Sequence, residues 1–68
     1  GYSKNGQLIK ASIGKSVSIK YSTKYGKSTR TIIPEKIYKK YGNEYVDAYC
    51  QSVSQDRTFR IDRMTIVD

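Results

Sequence analysis

The stretch RTFRIDRM, residues 57–64, decides how this chain folds, because its arginines recur at every third position: Arg57, Arg60 and Arg63. On a helix this spacing would align all three side chains along one stripe. On a strand it would place Arg60 on the face opposite the other two. Phe59 and Ile61 favour a strand and would share its core face. We therefore predict that RTFRID is a strand, with Arg57 and Arg63 at the two rims of its core face.

Alternating hydrophobic residues on either side of this stretch predict further strands. KSVSIKYS, residues 15–22, and EYVDAYC, residues 44–50, repeat with period two, and their core-facing side chains would be Val17, Ile19, Tyr21, Val46, Ala48 and Cys50. TRTIIPEKIY, residues 29–38, is rich in β-branched residues and predicts another strand. Pro34 cannot donate to a strand ladder, so it marks an edge or a bend in that strand. MTIVD, residues 64–68, closes the chain.

The amino-terminal segment NGQLIKASIG, residues 5–14, predicts one short helix. Gly14 stands where a carboxyl-terminal cap is expected, and the apolar side chains that would share a face are Leu8, Ile9, Ala11 and Ile13. Turns at Gly26 and Gly42 and a polar hairpin at residues 51–56 would connect the strands. The sequence therefore predicts a mainly β fold, either a small five-stranded barrel or a strongly bent antiparallel sheet, with one short N-terminal helix.

Length and composition narrow the classes of function. The chain has 68 residues, with one cysteine and no histidine. It is therefore one small domain without a disulfide framework, which fits a reducing cytoplasm. With one cysteine and no histidine, the chain lacks the side chains for a zinc site or a Ser-His-Asp triad. The scattered aspartates have no matched partner for acid–base chemistry. We expect no enzyme activity, cofactor or metal, and no membrane partner, because no apolar run approaches the length of a membrane span.

The charge of the chain favours a polyanionic partner. Thirteen Lys and Arg oppose six Asp and Glu, for a net charge of +7. Residues 1–41 contain nine lysines and Arg30 against Glu35 alone, whereas residues 42–68 contain three arginines against five acids. By charge alone, nucleic acid is the first candidate partner and an anionic membrane surface the second, and of these we expect nucleic acid and not a membrane. A solvated, lysine-rich surface without a ligand remains the alternative.

The succession of IKYS, RTIIP, GNEYVDAYC and RTFRIDRM resembles the WYL domain of bacterial regulators, over nearly the whole chain. RTFRIDRM matches the family's Arg-x-Phe-Arg-x-Asp-Arg run, which is the strongest element of the resemblance. The Trp-Tyr-Leu tripeptide that names the family falls on Glu44-Tyr45-Val46, where only the tyrosine is kept. The resemblance implies an Sm-like small barrel. It also implies that residues 1–68 are a single WYL-like domain taken from a longer protein.

The resemblance further implies a sensor or regulatory role, with single-stranded DNA as the ligand of several members. In the family the domain is attached to a helix-turn-helix DNA-binding domain or, less often, to a helicase. By position, the basic ligand-binding residues would be Arg30, Arg57, Arg60 and Arg63, and Tyr21 and Tyr45 match family aromatic positions. Tyr49 is added as a candidate because it shares a strand face with Tyr45. We expect Arg57, Arg63 and Arg30 to reach one shared pocket or groove.

Each of these features also has a purely structural interpretation. Arg60 could pair with Asp62, and Arg63 with Asp56 or Asp47, although exposed ion pairs contribute only about 0–1 kcal/mol each. Tyrosines can fill the rim of a thin core with their hydroxyl groups in water, which is the favoured interpretation for Tyr21 and Tyr38. For Tyr45 and Tyr49 the two interpretations stay open. Buried among apolar strand positions, Cys50 would be a small hydrophobic residue rather than a nucleophile.

Two functions follow from these patterns. The first is a nucleic-acid-binding regulatory module that binds single-stranded DNA through an arginine-rich groove and modulates an attached helicase or DNA-binding domain. The second is a sensor that binds a nucleotide or another small phosphorylated effector in the same arginine pocket and switches an attached transcription regulator. A protein-interaction module for dimerisation is a third possibility. The spread of nine lysines over residues 1–41 favours the longer polyanion.

Overall fold

One antiparallel sheet and one short helix make up the structure, a computed structural model that describes residues 1–67. The elements follow in the order α1 (Lys4–Ala11), β1 (Val17–Thr23), β2 (Gly26–Lys40), β3 (Asn43–Cys50), β4 (Gln55–Arg60), the 3₁₀ helix η1 (Ile61–Arg63) and β5 (Met64–Ile66). Within the sheet the strand order is β4-β3-β2-β1-β5. The predicted mainly β fold, with five strands and one short N-terminal helix, is confirmed. None of the helices in residues 1–67 is long and apolar enough to cross a membrane.

The connection from β4 to β5 forces the sheet to bend. These strands form opposite edges of the sheet, yet only η1 separates them in the chain. In a flat sheet, four strand spacings would set the edges about 19 Å apart, whereas a three-residue 3₁₀ helix rises only about 6 Å. The edges therefore curl towards each other, and the Tyr21 hydroxyl of β1 accepts a hydrogen bond from the Arg60 N–H at 2.9 Å. Of the two predicted forms, the strongly bent open sheet is the one observed.

A bulge in β2 supplies much of the bend. The register of β2 with β3 shifts between Pro34 and Lys36. Before the shift, β2 pairs with β1, and from Ile32 onward it pairs with β3. Bulges bend the strand that carries them, and proline fits there because it has no N–H to donate. The predicted bend at Pro34 is confirmed. Although β2 lies at the centre of the sheet, its pairing with β1 ends at Ile32, so at Pro34 the strand pairs with β3 alone and is locally an edge.

The concave side of the sheet holds the hydrophobic core. Its buried side chains are Ile9, Val17, Ile19, Ile32, Val46, Ala48, Cys50, Phe59, Ile61 and Met64. The strand positions predicted to face inward are therefore buried, with Tyr21 only partly so and packed against the rim of the core. Cys50 is a free, buried thiol. The opposite face of the sheet is only partly covered, with Tyr38, Tyr45 and Asp47 half-buried and Tyr49 exposed.

The helix departs from its predicted packing. It ends at Ala11, with Ser12 as its cap, so Gly14 lies beyond the cap position. Of its predicted apolar face only Ile9 is buried, and Leu8 and Ile13 remain 45% and 43% exposed. A helix of two turns has a narrow contact with the sheet, and Ile9 is its one large side chain buried there.

The stretch RTFRIDRM is a strand only as far as Arg60. Ile61–Arg63 then form η1, so the predicted strand over RTFRID is wrong for its last two residues. Phe59 and Ile61 are both buried, as predicted, with 4% and 1% of their surfaces exposed. The change from strand to 3₁₀ helix breaks the period-two alternation after Arg60. Arg63 therefore no longer shares a strand face with Arg57.

Candidate nucleic-acid interface

Two tyrosine rings stack on the sheet face opposite the core. Tyr38 of β2 and Tyr45 of β3 are cross-strand partners, and their neighbours Ile37 and Val46 point into the core. The ring centroids lie 5.8 Å apart and the ring planes differ by 22°. Stacking of this kind leaves an aromatic surface that a nucleobase can extend.

Hydrogen bonds fix the orientation of Tyr38 within this pair. The Tyr38 hydroxyl donates to Asp47 Oδ1 at 2.9 Å, and the Thr58 hydroxyl donates to the same oxygen at 2.8 Å. Because its hydroxyl donates to the Asp47 carboxylate, the pKa of Tyr38 is raised above its ordinary value. Tyr38 is therefore neutral at physiological pH and held by β3 and β4.

A third tyrosine stands at the turn between β2 and β3. Tyr41 and Gly42 form a two-residue turn closed by the pair Lys40 and Asn43, and their φ angles are +53° and +78°. Two positive φ angles define a type I′ turn, for which Asn-Gly is the favoured sequence. The Tyr41 side chain is nonetheless large, strained in the left-handed region and 87% exposed. It contributes nothing to the core.

Lysines flank these rings. The Lys36 Nζ lies 5.7 Å from the Tyr38 ring centroid, and the Lys40 Nζ lies 5.3 Å from that of Tyr41. We define the tyrosine patch as Tyr38, Tyr41, Tyr45, Lys36 and Lys40. Four of its members, with Thr58, line a shallow depression of about 230 Å³. Its combination of rings and cations suits a nucleic-acid strand, whose bases stack on rings and whose phosphates attract lysines.

Arg60 is held by its neighbour Asp62. Its guanidinium donates to both carboxylate oxygens, at 2.7 Å and 3.0 Å. Chiefly because of these hydrogen bonds, the pKa of Arg60 is raised further above its ordinary value. The predicted structural ion pair is confirmed. Arg60 still pairs across the strands with Tyr45, at the margin of the tyrosine patch, but its charge is largely offset.

Arg57 lies in acidic surroundings. It lines a depression of about 350 Å³ together with Thr58 and three carboxylate residues, Glu35, Asp47 and Asp56. Within residues 1–67, no three such side chains converge closely enough to hold a metal ion. Three carboxylates beside one guanidinium disfavour the approach of a phosphate.

The remaining arginines lie apart from Arg57. Arg63 lines a depression of about 550 Å³ with Ser22, Thr23, Lys24 and Tyr25 at the tip of the β1–β2 hairpin. Arg30 is half-buried, donating to the Ser28 hydroxyl at 3.2 Å with its Nη1 3.8 Å from Cys50 Sγ. The predicted pocket shared by Arg57, Arg63 and Arg30 is therefore not formed, because η1 turns Arg63 towards β1.

The structure separates the roles of the predicted tyrosines. Tyr21 packs edge-on against Phe59, with ring centroids 5.0 Å apart, and its hydroxyl bridges β1 and β4. Tyr45 belongs to the tyrosine patch. Tyr49 lies on the same face of β3 but beyond the patch, opposite Ile33 and Asp56.

Sequence reasoning missed four members of the tyrosine patch, which are Lys36, Tyr38, Lys40 and Tyr41. Their grouping depends on the register between β2 and β3, and the bulge after Pro34 shifts that register by an amount that the sequence does not show. One signal was present at the turn, where tyrosine precedes Gly42 in a position that favours asparagine.

Glu44, which occupies the tryptophan position of the resemblance, anchors the helix. Its carboxylate accepts hydrogen bonds from the Ser3 N–H at 2.8 Å and the Ser3 hydroxyl at 2.6 Å. The Ser3 hydroxyl in turn accepts from the Gly6 N–H at 3.1 Å, as the N-cap of α1. Through these bonds from Ser3, the pKa of Glu44 is lowered. Glu44 therefore serves the fold.

The sequence matches a known protein family over most of its length. The WYL domain family matches residues 11–68. The chain belongs to the WYL-domain family. Membership confirms the resemblance predicted from RTFRIDRM and fits a regulatory role connected with nucleic acids.

The fold of this WYL domain is also found in a solved structure of a longer protein. The chain is similar to proteasome accessory factor B/C (PafBC) of Arthrobacter aurescens, with a TM-score of 0.81 and 22% sequence identity. The alignment covers 98% of this chain and 12% of PafBC, so the likeness concerns one domain of a much longer protein. No curated protein matches the sequence.

Proposed function

We propose that this WYL domain is a regulatory module that binds single-stranded DNA on the tyrosine patch and thereby modulates a helicase or DNA-binding domain attached to it. One observation carries the proposal. Tyr41 is strained, with φ of +53°, and 87% exposed, yet it stands beside two stacked tyrosines and a lysine. Tyrosine is disfavoured at this backbone conformation, and its ring adds nothing to the core. An exposed ring retained under these conditions suits a binding surface.

The energetics favour a single strand. Base stacking on an aromatic side chain is worth about 1–3 kcal/mol per base, and it needs bases that are free of a duplex. Tyr38 and Tyr45 are already stacked, and Asp47 holds the Tyr38 hydroxyl, so little conformational entropy is lost when a base adds to the pair. Lys36 and Lys40 supply positive charge for the phosphates. Nothing in this combination reads base edges, so we expect little sequence preference.

The chemistry of the patch supports binding rather than catalysis. Its polar groups are tyrosine hydroxyls and lysine amines, the sequence contains no histidine, and Cys50 is buried elsewhere. We therefore propose no enzymatic role. Of the arginines predicted to bind DNA, Arg60 lies nearest to the patch, and its pairing with Asp62 limits what it contributes.

The test is fluorescence anisotropy of a labelled oligothymidylate titrated with the 68-residue chain. Tyr45→Ala is expected to weaken binding at least about fivefold, since it removes one ring from the stack. Tyr49→Ala is the matched control, because it removes a tyrosine from the same face of the same strand outside the patch. Folding of both variants is verified by circular dichroism. Equal losses in the two variants, or no loss with Tyr45→Ala, would overturn the proposal.

A further inference from the structure

A second cationic site lies at the tip of the β1–β2 hairpin. We define the hairpin patch as Lys24, Tyr25 and Arg63, which with Ser22 and Thr23 line the depression of about 550 Å³. Its volume falls within the range of about 300–1,000 Å³ that is usual for small-molecule sites. The Tyr25 ring is 88% exposed, and the Lys24 Nζ lies 5.1 Å from its centroid.

The hairpin patch differs from the surroundings of the other arginines in its charge. Carboxylates bind Arg60 and surround Arg57, whereas the side chains that line this depression include two cations and no acid. Within residues 1–67, Arg63 makes no ion pair. Two unopposed cations beside an open aromatic ring form a site for an anion that carries an aromatic group.

We propose that the hairpin patch binds a phosphate monoester attached to a nucleoside, either a free mononucleotide or the phosphorylated end of a nucleic-acid strand. A phosphate monoester carries about −1.5 to −2 charge at pH 7, which two cations match, whereas each internal phosphodiester carries a single charge. Arg63 presents a planar fork to the phosphate oxygens, and Lys24 adds a second positive charge. The exposed ring of Tyr25 stacks on the base.

The charge of the ligand gives the site a pH dependence. The second pKa of a phosphate monoester is about 6. The interval from pH 5 to pH 7.5 brackets that value, and the ionisable side chains that line the depression are Lys24, Tyr25 and Arg63. Binding is therefore expected to strengthen over that interval as the phosphate loses its second proton, and a phosphodiester-linked oligonucleotide without a terminal phosphate lacks this response.

The first experiment titrates the 15N-labelled chain with adenosine 5′-monophosphate and, in parallel, with adenosine, following amide shifts by NMR. The monophosphate is expected to bind at least about fivefold more tightly than adenosine and to shift residues 22–25 and Arg63. Arg63→Gln and Lys24→Gln are each expected to weaken it about fivefold, as for loss of one charge-assisted contact. Lys15→Gln is the control, since it removes one charge at the opposite end of β1. Equal binding of adenosine and its monophosphate, or equal losses in all three variants, would overturn the proposal.

A second experiment distinguishes the two sources of the phosphate. An oligothymidylate with a 5′-phosphate is compared with the same oligonucleotide without it, in the parent and in Arg63→Gln. A gain from the phosphate that disappears in the variant identifies a strand end as the ligand, whereas binding of the monophosphate without that gain identifies a free nucleotide. Tyr45→Ala separates the two sites, because it is expected to weaken the unphosphorylated oligonucleotide and to leave the monophosphate unaffected. Binding at the hairpin patch is thus tested independently of binding at the tyrosine patch.

Discussion

Replacing Tyr41 with asparagine is expected to stabilise the chain while weakening its binding to single-stranded DNA. Tyr41 precedes Gly42 in a type I′ turn, with φ of +53°. Asparagine adopts this conformation more readily because its short side chain bonds to the local backbone, whereas other L side chains lose about 1 kcal/mol or more there. The tyrosine ring is 87% exposed, so its removal sacrifices little packing.

The two effects have magnitudes that can be measured separately. Relief of the backbone is expected to raise the free energy of unfolding by about 0.5–1 kcal/mol, which raises the melting temperature of a domain this small by about 2–8 °C. Loss of one ring at the edge of the patch is expected to cost about 1 kcal/mol of binding free energy, the lower limit for stacking of one base. The dissociation constant then rises about fivefold.

Thermal denaturation followed by circular dichroism and anisotropy with a labelled oligothymidylate provide the two readouts. Ser54→Asn is the control, since Ser54 has φ of +54° in the turn between β3 and β4, away from the tyrosine patch. It is expected to stabilise the chain by a similar amount and to bind DNA like the parent. Unchanged DNA binding by Tyr41→Asn would refute a role for the ring, and a loss of stability in that variant would refute the conformational reasoning.

Three further predictions concern the lysines of the patch and the anchor of α1. Lys36→Gln and Lys40→Gln are each expected to reduce the slope of log affinity against log salt by up to about 0.7, while Lys4→Gln on α1 leaves it unchanged, as salt titrations by anisotropy would show. Ser3→Ala removes the N-cap of α1 and is expected to cost about 1 kcal/mol of unfolding free energy, measured by urea denaturation; a change below about 0.3 kcal/mol would contradict it. Because the folded pKa of Glu44 is lowered, its stabilising contribution is complete above the ordinary pKa of 4.5 and is lost as the pH falls through the folded value. Glu44→Gln should therefore show a flatter stability profile below pH 5 than the parent, and an unchanged profile would contradict the assignment.

Period-two alternation in the sequence was sufficient to predict the core strands. Val17, Ile19, Val46 and Ala48 are all buried, because on a sheet with one covered face the pattern of hydrophobic residues determines which side points inward. The helix was predicted in the right place, but not its packing, since Leu8 and Ile13 lack a surface to cover them.

The arrangement of the binding residues was less predictable, for two physical reasons. The 3₁₀ helix after Arg60 redirects Arg63 to the β1–β2 hairpin, although Ile61 keeps its inward position and gives no sign of the change. The bulge after Pro34 sets which residues of β2 and β3 face each other, and so brings Tyr38 against Tyr45. Both depend on contacts between strands that are distant in sequence.

The most direct test of DNA binding on the tyrosine patch is an NMR titration of the 15N-labelled chain with unlabelled, unphosphorylated oligothymidylate. Base stacking on Tyr38, Tyr41 and Tyr45 predicts that the largest amide shifts fall within residues 36–45 and at Thr58, with little change in α1. The absence of shifts in these residues at saturating DNA, or their confinement to the surroundings of Arg57 and Arg30, would contradict the assignment of the tyrosine patch as the single-stranded DNA site.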